Sequence, residues 1–338
     1  MSKSELKMIF HEKEISWISF NERVLQEAED PSVPEIQRLR YLGIFSNNLD
    51  EFFRVRVADV SRLAAFSASK EEKDRYKALL ELIQKRIKAL GERFDEAYLG
   101  VLGALRKRKI YIVNEAQLDE YQSKTVEQIF KTQVLPELDP ILIESTTRFP
   151  EIRDGIIYLA IKVVDNSDNI RYAIVEVPTD RISRFIQIPS RKGKRGKVFI
   201  TLENIIRFGL PRIFRGVVDI KHVEGFTIKL TRDADLEVSE RIDQSLIVKM
   251  EKSIANRRKG DPERFVYDRS MPDDLLQALR QGLKLSKYDS LMPGGRYHNS
   301  KDFISFPKVG PAYLELKSQP TIPLPELEQS SENIFHAL

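Results

Sequence analysis

A long amphipathic pattern between residues 71 and 107 constrains the fold of this chain more than any other feature of its sequence. Charged residues separate apolar ones that recur at spacings of three and four, namely Tyr76, Leu79, Leu80, Ile83, Ile87, Leu90, Phe94 and Leu102. This periodicity places the apolar side chains along one face of a helix. The pattern therefore predicts one long helix whose apolar face packs against other elements.

Shorter helical patterns precede the long one. Apolar positions in 24–28 predict a helix that ends before Pro31, because proline disrupts a helix interior. Pro34 stands at a favoured early position of a second helix, which we expect to end near residue 47. A further helical pattern covers 52–63. These helices and the long one together predict an antiparallel helical bundle.

Beyond the long helix, short β-type runs alternate with helical patterns. The predicted strands cover 156–164, 170–177, 185–188, 197–201, 226–230 and 265–267, and the predicted helices cover 123–135, 202–208, 239–255 and 273–283. A turn of hairpin length separates the first two strands. This mixture predicts an α+β domain with a largely antiparallel sheet.

The sequence therefore predicts a multidomain chain. An all-α helical bundle would occupy 1–109, and an α+β domain would occupy 110–316. Pro320, Pro323 and Pro325 disfavour regular structure in 317–338, which we predict to be an extended linker. A length of 338 residues exceeds a typical single core, so two domains are the ordinary expectation.

Composition excludes several classes of function. The formal net charge of +4 is small for 338 residues and does not argue for a nucleic-acid partner. The chain has no cysteine, and its four histidines are too scattered for recognised metal spacings, so we assign no metal ligand. No apolar run approaches the roughly 20 residues of a membrane span. We expect a cytoplasmic protein with no transmembrane segment, and leave peripheral association with the inner face of the membrane open.

Two adjacent amides interrupt the second helical pattern. Asn47 and Asn48 are followed by Asp50 and Glu51. An Asn side chain presents both a donor and an acceptor, which suits the edge of a nucleobase. The alternative is that the amides end one helix and cap the next, with the two carboxylates at the positive end of its dipole.

Two blocks of sequence resemble the polyphosphate kinase family. The first is 14–25 read together with 46–56, and the second is YDSLMPGGRYHNSKDF at 288–303. They occur in the family's order, and the resemblance covers essentially the whole chain. It implies an enzyme that reversibly transfers the γ-phosphate of ATP to inorganic polyphosphate. It also implies Mg²⁺ and a phosphohistidine in the full-length enzyme, and we identify no Mg²⁺ ligand in this chain.

The resemblance implies roles for individual residues. Asn48 inherits a contact with ATP, whereas Asn47 keeps the helix-cap interpretation. The two phospholipase-D-like catalytic domains of the family would begin near Ile334, so we assign no catalytic residue here and expect this chain alone to be inactive. The phosphorylated histidine would also lie in that missing half. Arg296 and His298 are instead predicted to contact it.

Basic residues supply further candidates. Arg54 and Arg56 suit phosphate oxygens, although they also suit ion pairs with Asp50 or Glu51 one turn earlier. A basic loop between two predicted strands suits polyphosphate, although charged hairpin tips are common; its candidates are Arg191, Lys192, Lys194 and Arg195. No aromatic residue interleaves with that loop, so base stacking is not expected there.

The implied partners are ATP or ADP, inorganic polyphosphate, and further copies of the chain. Family likeness predicts a homodimer or higher homo-oligomer that assembles through the α+β domain. Two alternatives remain open at the level of sequence. One is a non-catalytic polyanion-binding module, and the other is a purely structural oligomerisation module.

Overall fold

The computed structural model describes residues 12–143, 149–191, 193, 195–216, 218–232, 262–285, 290–296, 300–311, 314 and 316. The first part of the chain folds into four α-helices, α1 (Lys13–Glu29), α2 (Glu35–Phe52), α3 (Ala58–Phe66) and α4 (Lys70–Lys107). Their apolar faces share one buried core. The predicted helical bundle is confirmed, and we refer to α1–α4 as the bundle.

The predicted long helix, 71–107, is confirmed. α4 begins one residue earlier, at Lys70, and ends at Lys107 as predicted. Ser69 caps it, with the side-chain oxygen accepting a hydrogen bond from the Glu72 amide at 3.1 Å. Leu79, Ile83, Ile87 and Leu90 are buried at the predicted spacings of three and four. The apolar stripe of α4 thus packs on the rest of the bundle, as its periodicity indicates.

The expected end of the second helix near residue 47 is wrong. α2 runs on to Phe52 and continues through a π-helical turn, Phe53–Val57, directly into α3. Asn47 and Asn48 therefore lie inside a helix and cap nothing, which also removes the cap interpretation. The helix persists because its apolar stripe continues past the amides through the buried residues Leu49 and Phe52.

Two sheets and three helices make up the rest of the described chain. The strands are β1 (Ile110–Val113), β2 (Ile141–Ile143), β3 (Ile157–Asp165), β4 (Ile170–Glu176), β5 (Phe185–Ile188), β6 (Lys197–Thr201), β7 (Ile220–Arg232), β8 (Pro262–Asp268) and β9 (Ser290–Gly294). The helices are α5 (Glu120–Ile129), α6 (Leu202–Ile213) and α7 (Asp273–Gly282). Shorter helical turns cover Glu115–Gln117, Phe130–Val134, Leu135–Glu137 and Ser300–Ser305.

The strands pair mostly in antiparallel fashion. The large sheet has the order β2-β4-β3-β7-β8-β9, and the small sheet has the order β1-β6-β5. Only the β1–β6 and β8–β9 pairings, among those that the structure describes, run parallel. The predicted fold class, a helical bundle followed by an α+β domain with a largely antiparallel sheet, is confirmed.

Strand β3 sits at the centre of the large sheet and contributes to two cores. Leu159 and Ile161 belong to a buried cluster that includes α6, whereas Tyr158 and Ala160 belong to one that includes α7. Successive side chains of a strand point to opposite faces, so one strand serves both clusters. Each face of the large sheet is thereby covered by a helix.

Three strands, β1, β2 and β9, were not predicted, and some bounds differ. β2 is only three residues long, and β9 contains Pro293 and Gly294, which are unfavourable in a strand. Helix α6 extends past residue 208 with Pro211 in its last turn. The predicted helix at 239–255 and the predicted linker at 317–338 lie outside the described residues.

Candidate functional site

Asn48 is held in place by an amide of the neighbouring helix. Its Nδ2 donates a hydrogen bond to Asn21 Oδ1 at 3.1 Å, and Asn21 Nδ2 donates in turn to the Phe45 carbonyl at 3.1 Å. Asn21 is buried and Asn48 is half-buried, whereas Asn47 is exposed. The structure thus separates the two amides of the motif: one is oriented by α1, and the other faces solvent.

Asp50, two residues further along α2, contacts the large sheet. Its carboxylate accepts hydrogen bonds from Lys229 Nζ on β7 and from Arg264 Nη1 on β8, the second at 3.0 Å. The guanidinium of Arg264 also lies over the ring of Phe53, 4.7 Å from its centroid. All three ion-pair partners are largely buried, with 3%, 11% and 12% side-chain exposure for Lys229, Arg264 and Asp50. The motif therefore joins the bundle to the α+β domain.

Burial dominates the titration of both cations. It lowers the pKa of Lys229, and the nearby positive charges of Arg264 and Lys301 act in the same direction while Asp50 opposes them. Burial likewise lowers the pKa of Arg264 against the attraction of Asp50. Both pKa values are lowered because the two cations share one carboxylate in a desolvated environment.

Arg54 is engaged by carboxylates on both sides of the interface. It pairs with Glu51 one turn earlier at 3.5 Å and with Asp154 of the α+β domain at 3.1 Å. The ion pair between Arg54 and Glu51, which the sequence offered as the alternative to a phosphate contact, is therefore present. Arg56 is exposed, and the described residues offer it no ion pair. The proposed phosphate contacts of both arginines stay predictions.

The basic loop connects β5 to β6, as expected. Arg191 Nη2 donates a hydrogen bond to the Gln117 carbonyl at 2.7 Å, and Arg195 is exposed. Gly196 has a φ of 155° and packs so closely that an added Cβ would lie 2.7 Å from the Lys109 carbonyl oxygen. Lys192 and Lys194 lie outside the described residues.

The second block that resembles the family, 288–303, makes its described contacts with other residues of this chain. Arg296 pairs with Glu115 through its guanidinium, and its carbonyl accepts a hydrogen bond from Thr227 Oγ1 at 2.9 Å. Asp302 pairs with the buried Arg184 at 3.1 Å. The described contacts of Arg296 are thus within the α+β domain, and its proposed contact with the family's catalytic domains stays a prediction. His298 lies outside the described residues.

The turn Ser300–Ser305 packs onto the bundle. Phe303 stacks on Tyr98 of α4 with ring centroids 5.4 Å apart. At Gly43 of α2, an added Cβ would lie 2.8 Å from the backbone nitrogen of Ile304. Sequence reasoning missed this contact, whose one signal was a glycine inside an apolar helical pattern.

A cleft of about 960 Å³ lies between α2, α4 and the β7–β9 end of the large sheet, and we call it the interdomain cleft. Its walls are largely apolar, with Phe45, Leu49, Ile87, Val266, Leu291 and Met292 among the lining residues. Lys229 and Arg264 line it as well, but Asn48 does not. Sequence reasoning missed both cations. Lys229 lies inside the predicted apolar strand 226–230, which was an available signal, whereas Arg264 lies outside the predicted strand 265–267 and had no such signal.

Two family models match this chain. The polyphosphate kinase N-terminal domain matches residues 10–113, and the polyphosphate kinase middle domain matches residues 121–306. The chain belongs to the polyphosphate kinase family. Both motifs that carried the resemblance fall inside the matched ranges, so the resemblance is confirmed.

Individual members of the family are similar over nearly the whole chain. A polyphosphate kinase of Vibrio vulnificus is 45% identical over 328 residues, which cover 97% of this chain and 47% of the relative. A polyphosphate kinase of Escherichia coli K12 is 42% identical over 320 residues, covering 94% of this chain and 46% of the relative. The crystal structure of polyphosphate kinase from Porphyromonas gingivalis superimposes with a TM-score of 0.76 at 27% identity, covering 95% of this chain and 44% of that one.

The chain thus spans about half the length of the polyphosphate kinases that it matches, and corresponds to their amino-terminal half. Within the described part of the chain, no group of three or more acidic or histidine side chains is arranged to hold a metal ion. Within the same residues, no helix is both long enough and apolar enough to cross a bilayer.

Proposed function

We propose that this chain is the amino-terminal half of a polyphosphate kinase that reversibly transfers the γ-phosphate of ATP to inorganic polyphosphate. Phosphoryl transfer depends mainly on positioning and on charge neutralisation. In this proposal Asn48 contributes to the ATP pocket, and the α+β domain contributes to a homodimer or higher homo-oligomer. Mg²⁺ and the phosphohistidine would belong to the other half of a cytoplasmic enzyme.

The observation that supports Asn48 is its hydrogen bond with Asn21. A buried amide that orients a half-buried one reduces the conformational freedom lost when a ligand binds. Arg54, Arg56 and the loop residues Arg191 and Arg195 remain secondary candidates for phosphate or polyphosphate contacts. Arg54 would first have to leave Glu51 and Asp154.

The test is the substitution Asn48→Ala in the full-length protein, with Asn47→Ala as a matched control on the same helix. We expect Asn48→Ala to weaken ATP binding about tenfold, since one hydrogen bond to a ligand is worth roughly 1.5 kcal/mol. Asn47→Ala should leave the affinity unchanged. Calorimetric titration with ATP measures both.

A different result would reassign Asn48. If Asn48→Ala lowers the melting temperature while ATP affinity stays at the unsubstituted value, the side chain serves only the contact between α1 and α2. A separate assay asks whether the purified 338-residue chain makes polyphosphate from ATP. We expect a folded but inactive chain, and synthesis would place the chemistry within these residues.

A polyanion-binding module without chemistry is the second candidate, favoured by the exposed Arg195 in the basic loop. Binding of that kind loses affinity steeply as salt is added. If polyphosphate affinity shows such a slope, falls on Arg195→Gln and does not respond to Asn48→Ala, this candidate displaces the nucleotide pocket.

A further inference from the structure

Two hydrogen bonds set the orientation of the Asn48 side chain. A backbone carbonyl only accepts hydrogen bonds, so the atom of Asn21 that lies 3.1 Å from the Phe45 carbonyl has to be Nδ2. This leaves Asn21 Oδ1 to face Asn48, and an amide oxygen likewise only accepts. The atom of Asn48 that lies 3.1 Å from it is therefore Nδ2. One backbone carbonyl thus determines which way round both side-chain amides stand.

Asn21 is held in this orientation by its surroundings. It is 1% exposed and lies on α1, while its acceptor, the Phe45 carbonyl, belongs to α2. Turning the Asn21 amide by 180° would set its oxygen against the carbonyl oxygen of Phe45. A buried hydrogen bond would then be replaced by a repulsive contact, which is costly away from water. The packing of α1 on α2 therefore keeps Asn21 Oδ1 directed at Asn48.

The fixed orientation decides what Asn48 presents to a ligand. Its Oδ1 accepts no hydrogen bond from the residues that the structure describes, and this atom is not buried. A freely turning amide would offer its oxygen or its NH2 group at the same place. With Nδ2 engaged by Asn21, the oxygen of Asn48 is the group left on the opposite side of the amide. A ligand therefore meets an acceptor there.

From these contacts we infer that Asn21 is a positioning residue, which acts through Asn48 to select a nucleobase with a hydrogen-bond donor at the contact. The inference rests on the proposed contact between Asn48 and ATP, and adds the residue that gives this contact its polarity. The exocyclic amino group of adenine is such a donor, whereas the 6-oxo group of hypoxanthine is an acceptor. Side chains that bind a ligand directly require neighbours that hold their geometry.

The test compares the binding of ATP and of inosine triphosphate to the full-length protein by calorimetric titration. We expect the unsubstituted protein to prefer ATP by about tenfold or more, which is the discrimination that an amide paired with a base supplies. Asn21→Leu is close in size and removes both hydrogen bonds. It should reduce the preference to about threefold or less, because the released Asn48 can turn to suit either base. Asn47→Ala, an exposed position on the same helix, should keep the full preference.

Asn21→Asp is the conservative variant. Its carboxylate still accepts a hydrogen bond from Asn48 Nδ2 but donates none to the Phe45 carbonyl, so it should keep the preference for ATP while lowering the melting temperature. If Asn21 only joined α1 to α2, both substitutions would lower stability and neither would change the preference. An unchanged preference in Asn21→Leu therefore overturns the inference, whether or not Asn21→Asp folds.

Asn48→Ala separates this inference from the proposed function. If Asn48→Ala leaves ATP affinity unchanged, Asn48 does not contact ATP and both fail. If it weakens ATP binding while Asn21→Leu retains the preference, the contact stands and the role of Asn21 fails alone. Equal affinity of the unsubstituted protein for the two nucleotides would also overturn the role of Asn21.

A second measurement needs no nucleotide. In the 338-residue chain prepared with isotope-labelled asparagine, nuclear magnetic resonance signals that vanish on Asn48→Ala belong to the Asn48 amide. A hydrogen-bonded amide proton exchanges slowly with solvent. We expect Asn21→Leu to speed the exchange of the Asn48 proton that is donated to Asn21, and Asn21→Asp to keep it slow. The same exchange rate in Asn21→Leu as in the unsubstituted chain would show that Asn21 does not hold Asn48.

Discussion

Gly43 is the residue at which α2 meets the turn Ser300–Ser305. A Cβ there would lie 2.8 Å from the Ile304 backbone nitrogen, and backbone yields less readily than the end of a flexible side chain. We expect Gly43→Ala to lower the free energy of unfolding by about 1–3 kcal/mol through overpacking. Urea denaturation of the 338-residue chain measures this.

Gly103 of α4 provides the matched control, because it is also helical and an added Cβ would meet nothing within 4 Å. Gly103→Ala should raise the free energy of unfolding by about 0.5–1 kcal/mol, since alanine loses less backbone entropy in a helix. If both substitutions stabilise the chain, the close contact between α2 and Ile304 does not persist in solution.

The sequence was enough to select Asn48 as a candidate, but it did not predict which side chains surround it. The amide is visible in the sequence, and its family likeness points to ATP. The side chain that orients it, Asn21, is 27 residues away on another helix. No local pattern predicts that pair, because it depends on how α1 and α2 pack. The buried pairing of Asp50 was hidden for the same reason.

At the scale of elements, α6 begins with a buried ion pair that connects three parts of the chain. Glu203 in its first turn is fully buried and accepts a hydrogen bond from Arg184 Nη2 at 2.6 Å. Arg184 also contacts Asp302 in the turn Ser300–Ser305. Burial alone would raise the pKa of Glu203, but the charge and hydrogen bonds of Arg184 lower it below its ordinary value of 4.5.

This lowered pKa predicts a pH dependence of stability. The ionised Glu203 carboxylate stabilises the fold fully above pH 4.5. This stabilisation is lost as the pH falls through the lower folded-state pKa, because the unfolded chain binds the proton more readily. Glu203→Gln should lower the free energy of unfolding by about 3–5 kcal/mol near neutral pH. The stability of this variant should fall less steeply in acid than that of the unsubstituted chain. Urea denaturation between about pH 3 and about pH 7 tests both parts.

Glu120→Gln is the control for charge removal, because Glu120 is exposed and pairs with Lys124 on the surface of α5. It should change stability by less than about 0.5 kcal/mol. An acid limb that is equally steep in Glu203→Gln and in the unsubstituted chain would mean that other carboxylates govern acid unfolding.

Most elements could be predicted because their periodicity is local. The long apolar stripe of α4 and the runs at β5 and β6 determined their own bounds almost to the residue. Three strands were not predicted. β2 is too short for a period, β9 contains Pro293, and β1 is a four-residue run that follows α4 almost directly. The end of α2 was misplaced because Asn47 and Asn48 resemble a cap, whereas buried neighbours keep the helix intact.

At the scale of the whole molecule, the bundle and the α+β domain share one hydrophobic core, which a domain boundary at residue 109 does not predict. The bundle core includes Phe185 and Phe199 of the small sheet as well as Phe306 and Leu314. Asp50 lies 214 positions from Arg264 along the chain. Contacts this distant in sequence arise only from the folded arrangement, so periodicity and motif spacing carry no information about them.

The cluster of Asp50, Lys229 and Arg264 leads to a prediction about cooperativity between these two parts. Asp50→Ala would leave two buried cations without the carboxylate that they share, and removing one partner of a buried ion pair costs about 3–5 kcal/mol. Because the contact joins the bundle to the large sheet, the loss should also separate their unfolding. We expect one urea transition for the unsubstituted chain and two for Asp50→Ala, monitored by circular dichroism and by the fluorescence of Trp17 in the bundle.

Asp154→Asn is the matched control for this prediction. Asp154 also joins the α+β domain to the bundle through Arg54, but both side chains are about one-third exposed, and asparagine keeps an oxygen to accept the hydrogen bond of the Arg232 amide. Solvent screens that pair, so its removal should cost less than about 1 kcal/mol and leave a single transition. Equal effects of the two substitutions would show that burial of the Asp50 cluster does not couple the two parts.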